Sequence, residues 1–414
     1  MNILFLTQLL PYPLVGGAKI RAYYMLRQLT EQHRVTLVSF VRADDRPEDV
    51  AHLRQFCAAV HTVPLRRSRR QDAQAFLKAC VTGRPAVIER DYAAAMAGLL
   101  RWLASQGEFQ VIHADQTAMA QYALRLRQWL ARGTGSPPPL LVLDEHNALF
   151  RVVRRQAEHE SGWARRWLWR WEAKRLAGYE ADLCRRFDHI LTVTAVDQAA
   201  LLALLPPPAA AACRSHFMTL PICVDPEVQS VLPRRDQTPQ IVHLGTMFWP
   251  PNVEGVLWFA REILPRIIPQ VPGVRLVIAG KNPPPVIHDL SAPGSPLADY
   301  VRVTGFVSDP AGLLSQSRVF IVPLKAGGGM RVKILDAWQW GLPVVSTTIG
   351  AEGIDVQPGE NILLADDPAD FAAAVVRVLR DDGLAQRLRQ NGRRWVEQQY
   401  NWRRVYPRLA AIYA

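Results

Sequence analysis

Cysteine is scarce in this chain of 414 residues: Cys57, Cys80, Cys184, Cys213 and Cys223 are an odd, scattered set with no paired spacing. That pattern excludes a disulfide scaffold, a cysteine-held zinc site and a Cys-x-x-Cys redox centre, and leaves reduced structural thiols. Long apolar runs are also missing. The richest stretch, 199–213, is broken by Pro206, Pro207 and Pro208, so no transmembrane helix is expected. Residues 1–10 are apolar but lack a basic lead and a cleavage site, and they read as a first strand of a cytoplasmic protein rather than a signal peptide. Acidic residues are in deficit, 37 against 49 Lys and Arg, for a formal net charge of +12. Such a balance attracts anions, whether nucleic acid, acidic lipid or phosphorylated small molecules, and does not choose among them.

What is present describes a globular protein with sizeable cores, at 49% hydrophobic and 21% charged residues. Its organising stretch is 319–346, VFIVPLKAGGGMRVKILDAWQWGLPVVS. Val319, Phe320, Ile321 and Val322 read as a buried parallel strand ended by Pro323. Gly327, Gly328 and Gly329 let the backbone turn tightly and a ligand approach its amides. A helix is expected from about Met330, with Ile334, Ala337 and Trp338 at helical spacing and Gly341 as its stop. A glycine loop feeding a helix is an anion seat, because the helix start exposes unpaired N–H groups and positive partial charge. Arg331 and Lys333 stand in the expected first turn, where the dipole favours acids, so an anionic ligand would offset their repulsion. Asp336 follows roughly 4–7 Å further along the axis, about the span from a diphosphate to a ribose. Arg331 and Lys333 are therefore read as diphosphate ligands and Asp336 as a ribose acceptor. A capped surface helix with a Lys333–Asp336 ion pair is the alternative on local pattern alone.

The rest of the chain alternates strand and helix twice. A strand at 2–7, the loop PYPLVGGAK with Gly16 and Gly17, a helix and a strand at 35–40 form one unit whose glycines lie where open α/β sheets bind ligands. Lys19 and Arg21 add cations to the first turn of its helix. Expected strands at 111–114 and 140–143 place His113 and Asp115, then Asp144, Glu145, His146 and Asn147, at their carboxyl ends. A strand at 189–194 precedes a helix that Asp197 caps, and the proline-rich stretch 206–240 reads as an irregular interdomain linker. Alternation resumes with strands at 241–244, 274–279, 301–304 and 362–365, and helices at 253–268, 311–315, 368–380 and from 384 onward. Arg66, Arg67, Arg69 and Arg70 read as a solvated loop, and 136–139 as a flexible one. Residues 151–186 interleave Trp163, Trp167, Trp169 and Trp171 with Arg165, Arg166, Arg170, Lys174 and Arg175. Either this segment makes peripheral contact with an anionic membrane, or it is a long amphipathic helix that buries its tryptophans.

In order and spacing, these motifs resemble the family 4 glycosyltransferases of the GT-B fold across nearly the whole chain. MNILFLTQLLPYPLVGGAKIRAYYMLRQL, VIHAD, LVLDEHN, LTVTAVD, PICVD, IVHLGTM, VRLVIAG, VRVTGFV and the stretch 319–354 carry the resemblance in turn. It implies an α/β protein of two Rossmann-like doubly wound domains facing a cleft. Residues 1–228, with a returning helix at 396–414, would form the acceptor-side domain, and residues 229–395 the nucleotide-sugar domain. The implied reaction is retaining transfer of a sugar from a nucleotide diphosphate sugar to a glycan or lipid-linked acceptor, in bacterial polysaccharide or glycolipid synthesis. No cofactor, metal or nucleic-acid partner is implied. By position, Arg331 and Lys333 would stabilise the leaving diphosphate and His146 would face the transferred sugar. Gly16, Gly17, Gly245, Gly327, Gly328, Gly329, Met330 and Asp336 would contact the donor, and Arg21, His113 and Asp115 would lie on the acceptor side. The chain departs from the family at Gly328 and Asp336, where two glutamates are frequent, and at Phe248, Trp249, Pro250, Pro251 and Asn252, where an Arg and a Lys-Gly are frequent. Two rival functions on the same fold are a basic lipid- or nucleic-acid-binding protein and a nucleotide-sugar epimerase.

Overall fold

Short runs of Val, Ile and Leu without polar alternation build strands that are covered on both faces, as parallel sheets require. The computed structural model describes residues 1–65, 67–132, 137–233 and 238–413; Arg66 of the arginine run and Ser136 of the expected flexible loop lie outside them. Two compact units result: Met1–Cys223 with Val405–Ala414, and Val224–Arg404. The division falls after Cys223 rather than after residue 228. The helix Asp382–Gln399 belongs to the second unit, so the returning segment begins at Val405 rather than 396. Packing explains this: a Cβ on Gly392 would lie 2.4 Å from the Trp338 ring, so that glycine seats the helix against the core of the second unit.

The first unit holds seven parallel strands: β1 (Asn2–Thr7), β2 (Arg34–Val41), β3 (Ala59–Pro64), β4 (Val111–Asp115), β5 (Leu140–Glu145), β6 (His189–Thr192) and β7 (Phe217–Thr219). Their order is β3-β2-β1-β4-β5-β6-β7, which reverses direction between β1 and β4. Pairing sets Thr7, Asp115 and Asp144 side by side at the carboxyl ends. Helices used below are α1 (Gly17–Thr30), α2 (Arg69–Thr82), α3 (Leu149–His159) and α4 (Trp163–Arg186).

Several expectations change here. Segment 151–186 is two helices, the second 24 residues long; Trp169 packs partly buried against the core and Trp171 is half-buried, but Trp163 and Trp167 are 83% and 63% exposed, so only part of the expected tryptophan burial occurs. Part of the expected linker is ordered as the helix Pro207–Cys213 and β7; prolines are tolerated there because the first helical turn needs no N–H partners. The helix Ala195–Leu202 is capped by Thr194, not Asp197. Asp197 N donates to the Thr194 hydroxyl, which donates to the Asp197 carboxylate.

The second unit holds six parallel strands: β8 (Gln240–Leu244), β9 (Arg275–Ala279), β10 (Val301–Gly305), β11 (Ser317–Val322), β12 (Val344–Ser346) and β13 (Leu363–Leu364), in the order β10-β9-β8-β11-β12-β13. This order reverses between β8 and β11. The expected helix at 253–268 begins earlier, as α5 (Pro250–Trp258), and continues through a π-helical turn at Phe259–Ile263. α6 (Val332–Gln339) follows β11. At the end of β9, a Cβ on Gly280 would lie 1.7 Å from the carbonyl oxygen of Gly245, so only glycine fits. Among the described residues, no helix is long and apolar enough to cross a membrane.

The interior of the first unit is pinned by a buried ion pair. Arg21 has no exposed surface; its Nε and Nη2 bond the Asp144 carboxylate at 2.7–2.9 Å, and its Nη1 donates to the carbonyls of Leu220 and Pro221. These bonds tie α1, β5 and the segment after β7 together. Arg21→Met keeps the volume but strands a buried carboxylate. We expect it to lower the unfolding free energy by about 3–5 kcal/mol in urea titrations, with Asp144→Leu added to it restoring most of the loss.

Candidate functional site

In an open parallel sheet the two strands flanking the reversal leave a crevice at their carboxyl ends, because their loops depart to opposite faces. β8 and β11 occupy that position in the second unit, and each runs into a loop bearing a glycine where a side chain would collide with a cation. A Cβ on Gly245 would lie 2.8 Å from Lys333 Nζ, 2.9 Å from Asn252 Nδ2 and 3.1 Å from His243 Nε2. A Cβ on Gly327, whose φ is 132°, would lie 2.6 Å from Arg331 Nη2 and 3.1 Å from the Trp249 ring. Each glycine makes room for one cation.

Lys333 Nζ donates to Asn252 Oδ1 at 2.8 Å, and Asn252 Nδ2 donates to the Thr246 carbonyl at 2.9 Å, which fixes the amide's orientation. Arg331 Nη1 donates to the Gly328 carbonyl, and its guanidinium lies 5.5 Å from the centre of the Trp249 ring. The helix expected from Met330 starts at Val332; Arg331 is its non-helical cap residue, with φ −91° and ψ 76°, and only Lys333 stands in the first turn. Gly329 at φ 81° and the close approach of Gly353 to the Met330 backbone, 2.9 Å from a Gly353 Cβ position to Met330 Cα, hold the two preceding residues out of helical geometry. Gly328 supplies a carbonyl rather than an acid.

Burial dominates the electrostatics. It pushes the Lys333 pKa down to about 7, with the neighbouring charge of Arg331 adding to the effect. Burial also pushes Asp336 up to about 7, against the pull of Lys333. His243 is held neutral by burial and by Lys333; its Nδ1 faces the Ile321 carbonyl at 3.1 Å and must carry the proton, so Nε2 is a bare acceptor. Lys333 thus faces a neutral amide and an imidazole in a dry setting. An anion entering there would restore its charge.

The reversal in the first unit lies between β1 and β4. His146 Nε2 lies 2.8 Å from Asp115 Oδ1 and 3.4 Å from Asp144 Oδ2. Burial disfavours a charged ring, but the two carboxylates outweigh it and raise the pKa to about 9, so His146 is an imidazolium at neutral pH. Burial likewise opposes ionisation of Asp144, and Arg21 with His146 overcomes it. The atoms of Asp115, Asp144 and His146 cluster within 4.8 Å, close enough for metal ligation. Arg21 and the imidazolium already balance the two carboxylates, so the group is an internally neutral network. Next to it, burial raises Glu145 to about 8, and the Thr117 hydroxyl donates to it at 2.6 Å. His146, Glu145, Gln116, Asn147 and Arg90 line a cavity of about 250 Å³. Gln116 holds φ 72° and ψ 153°, a strained conformation for a residue with a side chain.

Two expected acceptor-side residues are core groups instead. Arg21 is enclosed with Asp144, as described above. His113 has no exposed surface, stacks on Phe5 with ring centres 4.1 Å apart, bonds the Tyr413 hydroxyl through Nδ1, and is pushed by burial down to about 4. In a strand buried on both faces, a mid-strand histidine has nowhere else to point. Asp115 does reach the strand end, where it holds His146. Gly16 caps α1 at φ 88° and Gly17 opens the helix; a Cβ on Gly16 would meet nothing within 4 Å, so the backbone conformation requires this glycine. Trp249, Asn252, His243 and Gly353 were not singled out from sequence as site residues. The signal for Asn252 was a proline pair starting a helix directly after a strand, with a polar residue facing inward.

Residues 238–381 match the family described as Glycosyl transferases group 1. An uncharacterized 44.6 kDa protein in the cps region of Klebsiella pneumoniae is 25% identical over 169 residues, which cover 40% of this chain and 44% of that protein. The chain therefore spans under half the length of that relative. Among solved structures, Anabaena HepE in complex with UDP-glucose superposes with a TM-score of 0.68 at 15% identity, covering 100% of this chain and 99% of that one. Sucrose-phosphate synthase from Thermosynechococcus elongatus gives 0.71 at 17% identity, covering 100% and 98%. With two parallel doubly wound sheets and these neighbours, the fold is GT-B, and the likeness to the group 1 glycosyl transferases covers residues 238–381.

Proposed function

We propose that the chain is a retaining glycosyltransferase that binds a nucleotide diphosphate sugar in its second unit and transfers the sugar to a glycan or lipid-linked acceptor recognised by the first. The observation that carries this reading is the pair of glycines, Gly245 and Gly327, each vacating the volume that Lys333 or Arg331 occupies at the β8–β11 reversal. UDP and UDP-glucose in HepE, and the cps-region setting of the Klebsiella relative, support a nucleotide-sugar donor and a polysaccharide or glycolipid product.

As the anomeric C–O bond breaks, negative charge builds on the departing diphosphate, and cations held in a dry pocket lower that barrier without reorganising. Arg331 and Lys333 take this role, with no metal in the scheme. Asp336, three residues past Lys333 on α6, takes the ribose hydroxyls. The departing phosphate oxygen accepts the proton of the attacking hydroxyl, so no separate protein base is required. In the first unit, His146 acts as a hydrogen-bond donor kept charged by Asp115 and Asp144.

Calorimetry against UDP, GDP, ADP and TDP tests the reading: one diphosphate should bind with EDTA present and lose its affinity in Lys333→Ala. No binding by any of the four would refute it. Turnover of the matching nucleotide sugar should fall at least about tenfold in Arg331→Ala and in Lys333→Ala, with melting temperatures little changed.

A proton should also move. At about pH 8 the empty site holds Lys333 mostly neutral, because its pKa lies near 7. A bound diphosphate favours the ammonium form, so binding should take up close to one proton per site. Calorimetry in buffers of different ionisation enthalpy measures that uptake, which should be absent at about pH 5.5 and in Lys333→Gln.

A further inference from the structure

α2 packs the wrong way round for a helix on a water-facing surface. Its buried residues are two alanines, Ala75 and Ala79, while Phe76, Leu77 and Val81 are 39%, 66% and 88% exposed. Normally the large apolar side chains face the core. Arg70, Ala73, Leu77 and Val81 recur at helical spacing and form one outward stripe.

α4 exposes tryptophans in its first half. Its buried face, Glu172, Ala173, Leu176, Glu180, Ala181, Leu183 and Cys184, begins only near its middle. The two glutamates are taken inside the unit: Glu172 accepts from the amides of Ala86 and Val87, and Glu180 from those of Leu149 and Phe150, so each caps a helix start. The opposite stripe is Trp163, Trp167, Arg170 and Lys174, all exposed. The helices adjoin, with the Phe76 and Trp171 ring centres 5.7 Å apart and Arg175 donating to the Ala79 carbonyl. The two outer stripes thus present aromatic and aliphatic side chains together with exposed Arg69, Arg70, Arg170 and Lys174, against one exposed acid on α2, Asp72.

We propose that the α2–α4 face docks on an anionic lipid bilayer, with Trp163, Trp167, Leu77 and Val81 entering the interface and the cations meeting lipid phosphates. Tryptophan is suited to the boundary between apolar and wet surroundings, and long basic side chains reach headgroups while their stems stay in contact with the apolar layer. Charge complementarity selects this occupant over a second copy of the chain. A symmetric pair would set four exposed cations on each copy against the same four on the other, whereas acidic headgroups neutralise them.

The test is co-sedimentation of the full chain with vesicles of phosphatidylglycerol and phosphatidylethanolamine, and separately with vesicles of phosphatidylcholine. The chain should pellet with the anionic vesicles, lose binding as salt is raised, and stay in solution with phosphatidylcholine. Trp163→Ala with Trp167→Ala, Leu77→Gln with Val81→Gln, and Arg70→Gln with Arg170→Gln should each weaken partitioning at least about tenfold. Their melting temperatures and diphosphate affinity should be unchanged, because all six side chains face outward and none lies in the second unit. The proposal is overturned by equal binding to phosphatidylcholine, by no binding to either vesicle, or by variants that bind as the parent does. It is equally overturned if sedimentation shows a soluble dimer that these variants dissociate.

Discussion

Arg21 lies inside the first unit with its nitrogens satisfied by three bonds to Asp144 and two to main-chain carbonyls. Everything at that end of the sheet depends on this arrangement. A guanidinium without solvent would be intolerable unpaired, and Asp144 without it would lose the larger of the two charges that offset its burial. With the pair formed, Asp144 keeps its negative charge, and that charge with Asp115 makes His146 an imidazolium. Glu145, one residue away but outside the ion-pair network, shows the contrast: burial, with the charges of Asp144 and Asp197 adding to it, pushes it up to about 8.

The second unit meets the same constraint differently. Lys333 is half-buried, where Arg21 and Asp144 have no exposed surface, and its hydrogen-bond partner is the neutral amide of Asn252. Burial has lowered its proton affinity where a facing carboxylate would have raised it. The first unit is closed electrostatically and the second is open to an incoming anion. The stretch Phe248 to Asn252 carries no cation, so the positive charge beside it is that of Arg331 and Lys333, with the Trp249 ring and the Asn252 amide in contact with them.

Most strand positions were legible because parallel strands are short continuous apolar runs, and ILFL, LLVL, VRLVIA and VFIV carry that pattern on their own, whereas β3 (AVHTVP), interrupted by His61 and Thr62, and the three-residue β7 were not. The glycine loop was legible because three consecutive glycines followed by two cations stand out in sequence. Arg21 and His113 misled because sequence shows that a polar residue lies near a strand end or helix start, but not which way it points. His113 is two residues short of the end of β4 and points into the core; Asp115 is at the end and points to His146. Pairing register decides that difference, and register is a long-range property. The amide of Asn252 was equally hidden, since its partner lies 81 residues away.

α4 was hard to read for a related reason. A helix pattern is recognised by an apolar face set against a polar one, and α4 carries acids on its inner face and tryptophans on its outer face. Its inner carboxylates are where helix starts need them, at Ala86 and at Leu149, and they stabilise those starts through unpaired amides and the helix dipole. That arrangement requires the inner face to be partly polar, so the helix cannot draw its packing from a wide apolar stripe. The outer tryptophans then contribute nothing to folding the unit. Large apolar side chains that folding does not use, held on a rigid helix beside a run of cations, are retained at a cost in solubility unless something outside the unit covers them.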